Sequence, residues 1–367
     1  MPGSVMHRAA CICALLALPL GATATLEPGD AEKIHELATE LAATGQLNGG
    51  VLVAKGETVI YRGASGWADR ELGIPNTVDT RFFSASLGKM FTAILTMQLV
   101  DEGYISLDDP ISNHLSWFDH PRAEEIKVEH LLAHRSGLAE IFDERVNENP
   151  SESVPRELLA TIAGLELDFA PGTAFSYSNT GYVLLAEIVK QHYRDDYDSI
   201  LQARIFKPFG MSSTYWSRSI YGPGAPVYYL SDGTLQLPGD YLDFSGPGAE
   251  KTTLADLHKF MVAVLNEQLL SESSWERVLS PHSRPEEAMA GWGPHNAPYG
   301  YGFSLAELPH EGESVSLSYG HGGASAGASC NAVVFPSSGR IVITWNNQFI
   351  DPIMLPLHAG LASISAE

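Results

Sequence analysis

The stretch Phe83-Ser84-Ala85-Ser86-Leu87-Gly88-Lys89-Met90-Phe91-Thr92-Ala93-Ile94-Leu95-Thr96-Met97-Gln98-Leu99-Val100 decides the fold. From Leu87 to Val100 it is apolar nearly all round, with Met90, Phe91, Ile94, Leu95, Met97 and Leu99 spread over every face. A surface helix keeps one polar side, so this pattern predicts a helix buried in the body of the protein. Ser86 and Lys89 stand three apart where the helix opens and therefore share a face. A helix N-terminus presents unpaired backbone N–H groups and the positive end of the dipole. Burial disfavours an ammonium, so a buried Lys89 becomes a base able to take the proton of a serine hydroxyl. Taken alone, S-x-x-K reads more readily as a helix cap followed by a surface lysine.

Working outward, Asp30 to Ala43 carries Ile34, Leu37 and Leu41 at helical spacing. Gly49 to Arg62 reads as a hairpin, two β-rich runs about a turn at Lys55-Gly56. The middle of the chain mixes short helical patterns, over 154–162 and 181–192, with Pro- and Gly-bearing loops. Thr253-Leu254-Ala255-Asp256 opens another helix as a capping box. Strand signals return over 302–308, 314–319, 329–335 and 341–344, and a last helix is expected over 354–364. Strands at both ends with helices between predict an α+β fold: one antiparallel sheet built from both termini, flanked by helices, with a mostly helical region inserted. The expected division is residues 25–104 with 255–367 for the sheet region and 105–254 for the helical one, forming one catalytic unit overall.

Two further motifs follow the first in order. Tyr177-Ser178-Asn179 offers a phenol able to relay a proton and an amide able to hold a substrate amide. His321-Gly322-Gly323 lies between strand-like runs, where small residues would let a substrate lie against a strand edge. The backbone N–H groups of Ser86 and Ala324 would then hold a developing oxyanion. Each motif alone has an ordinary structural reading, as a loop tyrosine with a capping Asn and as a Gly-rich turn. The three together are far more specific.

With these motifs the chain resembles the serine β-lactamase and penicillin-binding-protein superfamily, in its class C β-lactamase-like branch. The likeness extends to Gly103 to Pro110 (GYISLDDP), to His130 to Leu138 (HLLAHRSGL), to Pro171 to Gly181 (PGTAFSYSNTG) and to Phe206 to Met211 (FKPFGM). It covers roughly residues 30 to 350. The resemblance implies Ser86 as nucleophile, Lys89 as general base, Tyr177 as proton-transfer partner, and Asn179, His321, Gly323 and Ala324 as substrate-binding positions. It implies no metal and no cofactor. One departure stands out: His321 occupies the place of the Lys in the family's K-T-G. A lysine there suits a substrate carboxylate, whereas an imidazole with an ordinary pKa near ~6.5 is mostly neutral at pH 7. The expected function is therefore an acyl-enzyme hydrolase of esters or amides, esterase-like activity favoured. The alternatives are a D-Ala-D-Ala carboxypeptidase, D-aminopeptidase or β-lactamase, and a non-catalytic binding protein on the same scaffold.

The first residues read as an export signal, cleaved after Ala22-Thr23-Ala24, which predicts a periplasmic or secreted protein. The apolar run Ala9 to Leu20 is too short for a membrane span. Removal of residues 1–24 takes Cys11 and Cys13, leaving Cys330, in an apolar strand-like run, as a buried structural thiol. The formal charge of −22 argues against nucleic acid and anionic membranes as partners, and a small ester, peptide or β-lactam substrate is expected instead. Two rival motifs are weak. Gly323-Ala324-Ser325-Ala326-Gly327 matches the nucleophile elbow of α/β-hydrolases, with Asp351 and His358 following, but too little chain remains for the sheet that fold needs. His130 and His134 lack the glutamate of H-E-x-x-H, so structural histidines are expected. The loop from Trp292 to Tyr301 is a candidate wall of the substrate site.

Overall fold

The computed structural model describes residues 29–146, 155–217, 224–235, 245–287, 297–309, 315–325 and 327–349. The leader over residues 1–24 and the helix expected over 354–364 lie outside them. Helix α1 (Asp30–Ala43) leads into strands β1 (Gly49–Lys55) and β2 (Thr58–Ala64), the short pair β3 (Trp67–Asp69) and β4 (Ile74–Pro75), and β5 (Phe82–Phe83). Helices α2 (Gly88–Asp101), α3 (Val128–Leu132), α4 (Pro155–Ala163), α5 (Asn179–Tyr193) and α6 (Tyr197–Leu201) follow. Then come β6 (Tyr215–Trp216), β7 (Glu250–Thr252), α7 (Leu254–Leu265), α8 (Glu272–Val278), and strands β8 (Ser304–Pro309), β9 (Val315–Ser325), β10 (Ala328–Phe335) and β11 (Arg340–Asn346).

The main sheet has the order β2-β1-β11-β10-β9-β8, antiparallel throughout. Its first two strands come from the N-terminal part of the chain and the other four from the C-terminal part, as the α+β reading expects. The seam is the β1–β11 pairing, Gly49 opposite Asn346 through Lys55 opposite Arg340. Helix α1 covers one face with Ile34, Ala38 and Leu41, packed on Val51, Val53 and Val342. The other face carries the larger core, to which Leu52, Ile343 and Trp345 contribute together with α2, α5 and α7. That both faces of β1 are buried follows from its unbroken apolar run Val51-Leu52-Val53-Ala54.

Helix α2 is the axis of this core. All its residues are buried except Gln98, Val100 and Asp101. Its buried threonines return their hydroxyls to the backbone, Thr96 Oγ1 donating to Thr92 O at 2.8 Å, so the polar atoms in this apolar setting are satisfied. Phe91 meets Phe260 and Phe206 edge-on at centroid distances of 4.5 and 5.3 Å. Helix α7 begins as its sequence predicts, with the Thr253 hydroxyl accepting from Asp256 N at 3.2 Å.

Two features differ from expectation. The segment His321-Gly322-Gly323 is not a turn between strands. It lies inside β9, which continues to Ser325 and pairs with β10 up to Ala328. The missing side chain at Gly323 lets the Ser84–Ser86 segment pack closely on the strand. A second small sheet, β5-β7-β6, joins the approach to α2 to the approach to α7. Its two- and three-residue strands are too short to show alternation in a sequence. No described helix is long and apolar enough to cross a membrane.

Ile94 is wholly buried at the centre of α2. Ile94→Ala should cost about 2–5 kcal/mol of stability, measured as a lowered midpoint of urea unfolding with an unchanged slope.

Candidate active site

Between β5 and α2 the chain makes a single 3₁₀ turn, Ala85–Leu87, that carries Ser86. Ala85 has φ of 44°, a left-handed conformation that an L-residue with a Cβ adopts at a cost. The turn is held from two sides. Ser84 N donates to Glu250 O at 2.8 Å, and Cys330 Sγ donates to Ser84 O at 2.9 Å. Ser86 keeps partial exposure while Ser84, Ala85 and Leu87 are buried. Cys330, 1% exposed, is thus the structural thiol the sequence predicts.

Lys89 is fully buried, the second residue of α2 and one turn after Ser86. Its Nζ lies 3.1 Å from Ser86 Oγ, 2.7 Å from Asn179 Oδ1 and 3.1 Å from Pro247 O. A neutral amine has two N–H donors and one lone pair. The carbonyl oxygens of Asn179 and Pro247 can only accept, so they take both donors, and the lone pair is left facing the Ser86 hydroxyl. The amine also sits over the rings of Tyr177 at 4.8 Å and Tyr182 at 5.5 Å. Burial brings its pKa down to about 7; the carboxylates of Glu140 and Glu250 act in the opposite sense.

Asn179 begins α5, capped by Ser178 Oγ, which accepts from Gly181 N at 3.1 Å. Its amide orientation is set by Glu140. One carboxylate oxygen of Glu140 accepts from Asn179 Nδ2 at 2.8 Å and the other from Asn179 N at 2.7 Å. With Nδ2 thus committed, Oδ1 turns to Lys89. Burial raises the Glu140 pKa, opposed by these hydrogen bonds from Asn179. The sequence reading missed Glu140. Its one signal is a charged residue inside the apolar run Leu138-Ala139-Glu140-Ile141-Phe142.

Tyr177 packs its ring on His134 at a centroid distance of 4.4 Å. His134 Nδ1 accepts from Ser178 N at 3.0 Å, and His130 Nδ1 accepts from Lys127 N at 3.1 Å. Both histidines therefore serve the backbone, which agrees with their reading as structural. Among the described residues no group of three or more His, Cys, Asp or Glu side chains is arranged to hold a metal ion.

Strand β9 closes the site on the other side. Pairing with β8 ends at Gly320, so His321 to Ser325 continue past the end of β8. Gly323 faces the turn that carries Ser86: a Cβ there would come within 2.6 Å of Ser84 O and 3.0 Å of Ser86 N. Only glycine permits this approach, and Ala324, next along the strand, pairs with Ser329. His321 is buried, with Nε2 3.0 Å from Tyr299 Oη and Nδ1 against Gly322 O. A carbonyl can only accept, so Nδ1 carries the proton and Nε2 accepts from the tyrosine. Tyr299 comes from the loop singled out as a wall, whose residues 292–296 lie outside the described ones. Ser325 ends a strand that another strand follows, whereas a nucleophile elbow needs a strand-to-helix turn. Asp351 and His358 lie outside the described residues.

The structure thus brings Ser86, Lys89, Tyr177, Asn179 and Gly323 to one place, with His321 adjoining through its ring contact to Tyr177. Residues 34–355 match the family model described as Beta-lactamase. The chain belongs to the Beta-lactamase family. It is 30% identical over 307 residues to penicillin-binding protein 4* of Bacillus subtilis, a match covering 76% of this chain and 64% of that relative. The chain therefore spans just under two thirds of the length of that curated relative. Among solved structures it is similar to a penicillin-binding protein from Bacillus halodurans, with a TM-score of 0.75, 27% identity, and coverage of 89% of this chain and 98% of that one. It is also similar to a D-stereospecific amidohydrolase from a Streptomyces species, with a TM-score of 0.70, 25% identity, and coverage of 87% and 94%. The Beta-lactamase-family fold agrees with the resemblance read from the three motifs.

Gly323→Ala should leave the fold intact by circular dichroism. It should slow covalent labelling of Ser86 by a fluorophosphonate by about a hundredfold, because the added methyl displaces the turn that carries Ser86.

Proposed function

We propose that this chain is a serine hydrolase working through an acyl-enzyme, with Ser86 as nucleophile and Lys89 as general base. The observation that carries this reading is the buried Lys89 amine, 3.1 Å from Ser86 Oγ, with its other hydrogen-bonding positions taken by Asn179 and Pro247. As Ser86 Oγ bonds to the substrate carbonyl carbon, its proton passes to the lone pair of Lys89. The carbonyl π pair moves to oxygen, which the N–H groups of Ser86 and Ala324 would receive. When the tetrahedral intermediate collapses, Lys89 returns the proton to the leaving group. Water then repeats the cycle on the acyl-enzyme. Tyr177 assists proton transfer from its place beside Lys89, and Asn179 holds both Lys89 and the substrate amide.

The acyl donor is an ester or amide, esters being favoured over β-lactams. The reason lies in His321. Both ring nitrogens are already within hydrogen-bond reach of Tyr299 and Gly322, so a substrate carboxylate reaching the ring must displace Tyr299. Such a site gives little reward for the carboxylate that β-lactams and peptide C-termini carry. Likeness to a D-stereospecific amidohydrolase supports amide cleavage as the second reading, and the stretch of β9 beyond β8 offers a strand edge along which an extended acyl donor can lie. The apolar leader supports export of the chain.

Intact-mass analysis after fluorophosphonate treatment should show one adduct on the peptide containing Ser86, absent in Ser86→Ala. In Lys89→Arg, which keeps the charge but cannot deprotonate, labelling should fall by several orders of magnitude. Lys89 accepts a proton only when neutral, so wild-type labelling should rise with pH and level off above an apparent pKa of about 7. Hydrolysis of p-nitrophenyl butyrate should exceed that of nitrocefin in kcat/KM. Labelling at another serine, or near-normal turnover in Lys89→Arg, contradicts the mechanism. A preference for nitrocefin contradicts the substrate class alone.

A further inference from the structure

Glu250 is a fully buried carboxylate that the mechanism above does not use. It opens strand β7 and lies directly behind the nucleophile turn. Its Oε2 accepts from Ser84 Oγ at 2.6 Å, and its main-chain oxygen accepts from Ser84 N at 2.8 Å. The same Oε2 presses on the start of α2: a Cβ on Gly88 would come within 2.3 Å of it. Oε1 is buried with no hydrogen-bond partner among the described residues. The neighbouring Ala249 stands at φ of 98°, strained for any residue but glycine.

A buried carboxylate left half-satisfied is a costly thing to keep. The positive charges of Lys251 and Lys89 offset part of that cost. Lys251, next on the strand, directs its Nζ to Ala249 O at 3.0 Å and Ser217 O at 3.2 Å. Tyr197, from α6, stays protonated, since burial raises its pKa well above the ordinary phenol value and the Glu250 charge adds to this. Besides Lys251, the charged neighbour of Glu250 is Lys89, one residue beyond Gly88 on α2. Glu140 faces Lys89 from the other side through Asn179. Lys89 therefore feels two carboxylate charges, that of the fully buried Glu250 and that of the half-buried Glu140.

We propose that Glu250 is a positioning residue for the acyl transfer: it clamps Ser84, and so the turn bearing Ser86, and directs its negative charge at Lys89 to stabilise the ammonium formed when Lys89 takes the Ser86 proton. This rests on the acyl-enzyme reading. The carboxylate does not itself gain or lose a proton in the step. The O–H bond of Ser86 breaks, the N–H bond on Lys89 forms, and Glu250 acts through its field and its hydrogen bond. Its own pKa is raised to about 6 by burial, opposed by the Ser84 hydrogen bond, so it is charged where Lys89 is half neutral, near pH 7.

The sign of the effect separates this role from a merely structural one. Glu250 holds its proton more tightly folded than unfolded. That contribution to stability is complete below the ordinary value of 4.5 and is lost as pH rises through about 6. Removing the charge therefore favours the fold at neutral pH while weakening Lys89 as a proton acceptor.

The test is the rate of fluorophosphonate labelling of Ser86 against pH, with Tm against pH, for wild type, Glu250→Gln and Glu250→Met. Glutamine keeps a hydrogen-bonding group for Ser84 and loses the charge; methionine loses both. The rise in labelling should move down by about one pH unit in both variants, because an opposite charge no longer favours the ammonium. The Tm of Glu250→Gln should gain on wild type as pH rises through about 6. A rise that stays where it is in wild type overturns the proposal, as does a Tm difference that does not change with pH. Should Glu250→Met not fold, Glu250→Gln decides alone. Absence of Ser86 labelling in wild type would instead overturn the acyl-enzyme reading itself.

Discussion

Burying an amine completely next to a serine hydroxyl is a demand that most folds would refuse. Lys89 meets it with a pKa that burial brings down to about 7. In its neutral form, carbonyl oxygens from Asn179 and Pro247 accept its two N–H bonds, and its lone pair faces the serine hydroxyl. The three groups arrive from the opening of α2, the start of α5 and the loop before β7, so the geometry exists only when these elements are docked. Much of the architecture can be understood as holding that arrangement. Helix α2 is buried nearly all round and cannot shift to relieve strain. Glu140 fixes which way the Asn179 amide points. Strand β9 gives up a side chain at Gly323 so that the Ser84–Ser86 turn can sit against it.

The electrostatics follow from the same constraint. Desolvation pushes the Lys89 pKa down and pushes the pKa of Glu140 and Glu250 up, and each charge partly offsets the shift of the other kind. The outcome is a lysine with a pKa of about 7, the value that suits the proposed role of a base that first accepts and then returns a proton. Lys89 and the two carboxylates belong to one coupled set, so a change at any of them is felt by the others.

The parts of the site that the sequence revealed are those whose signal is local. Ser86 and Lys89 stand three apart on one helix, Tyr177 and Asn179 two apart at a helix start, and each spacing carries its own geometry. Helix α1, the β1–β2 hairpin and the cap of α7 were legible for the same reason, and the apolar ends of the chain implied a sheet shared between them. Glu140, Pro247 and Glu250 were not legible, because their importance lies in being buried against residues far away in the chain. Strand β9 runs beyond its expected end because glycines, poor strand formers in isolation, are required there by close packing. The occupation of His321 by Tyr299 likewise depends on tertiary contact; the sequence showed only that an imidazole stands where the family carries a lysine.

The central claim is that Lys89 is a neutral base at working pH. It is tested most directly by heteronuclear NMR titration of the Lys89 side chain in the unmodified protein, assigned by loss of its signal in Lys89→Arg. The account predicts a midpoint at about 7. A Lys89 that titrates near the ~10.4 of an ordinary lysine would contradict it.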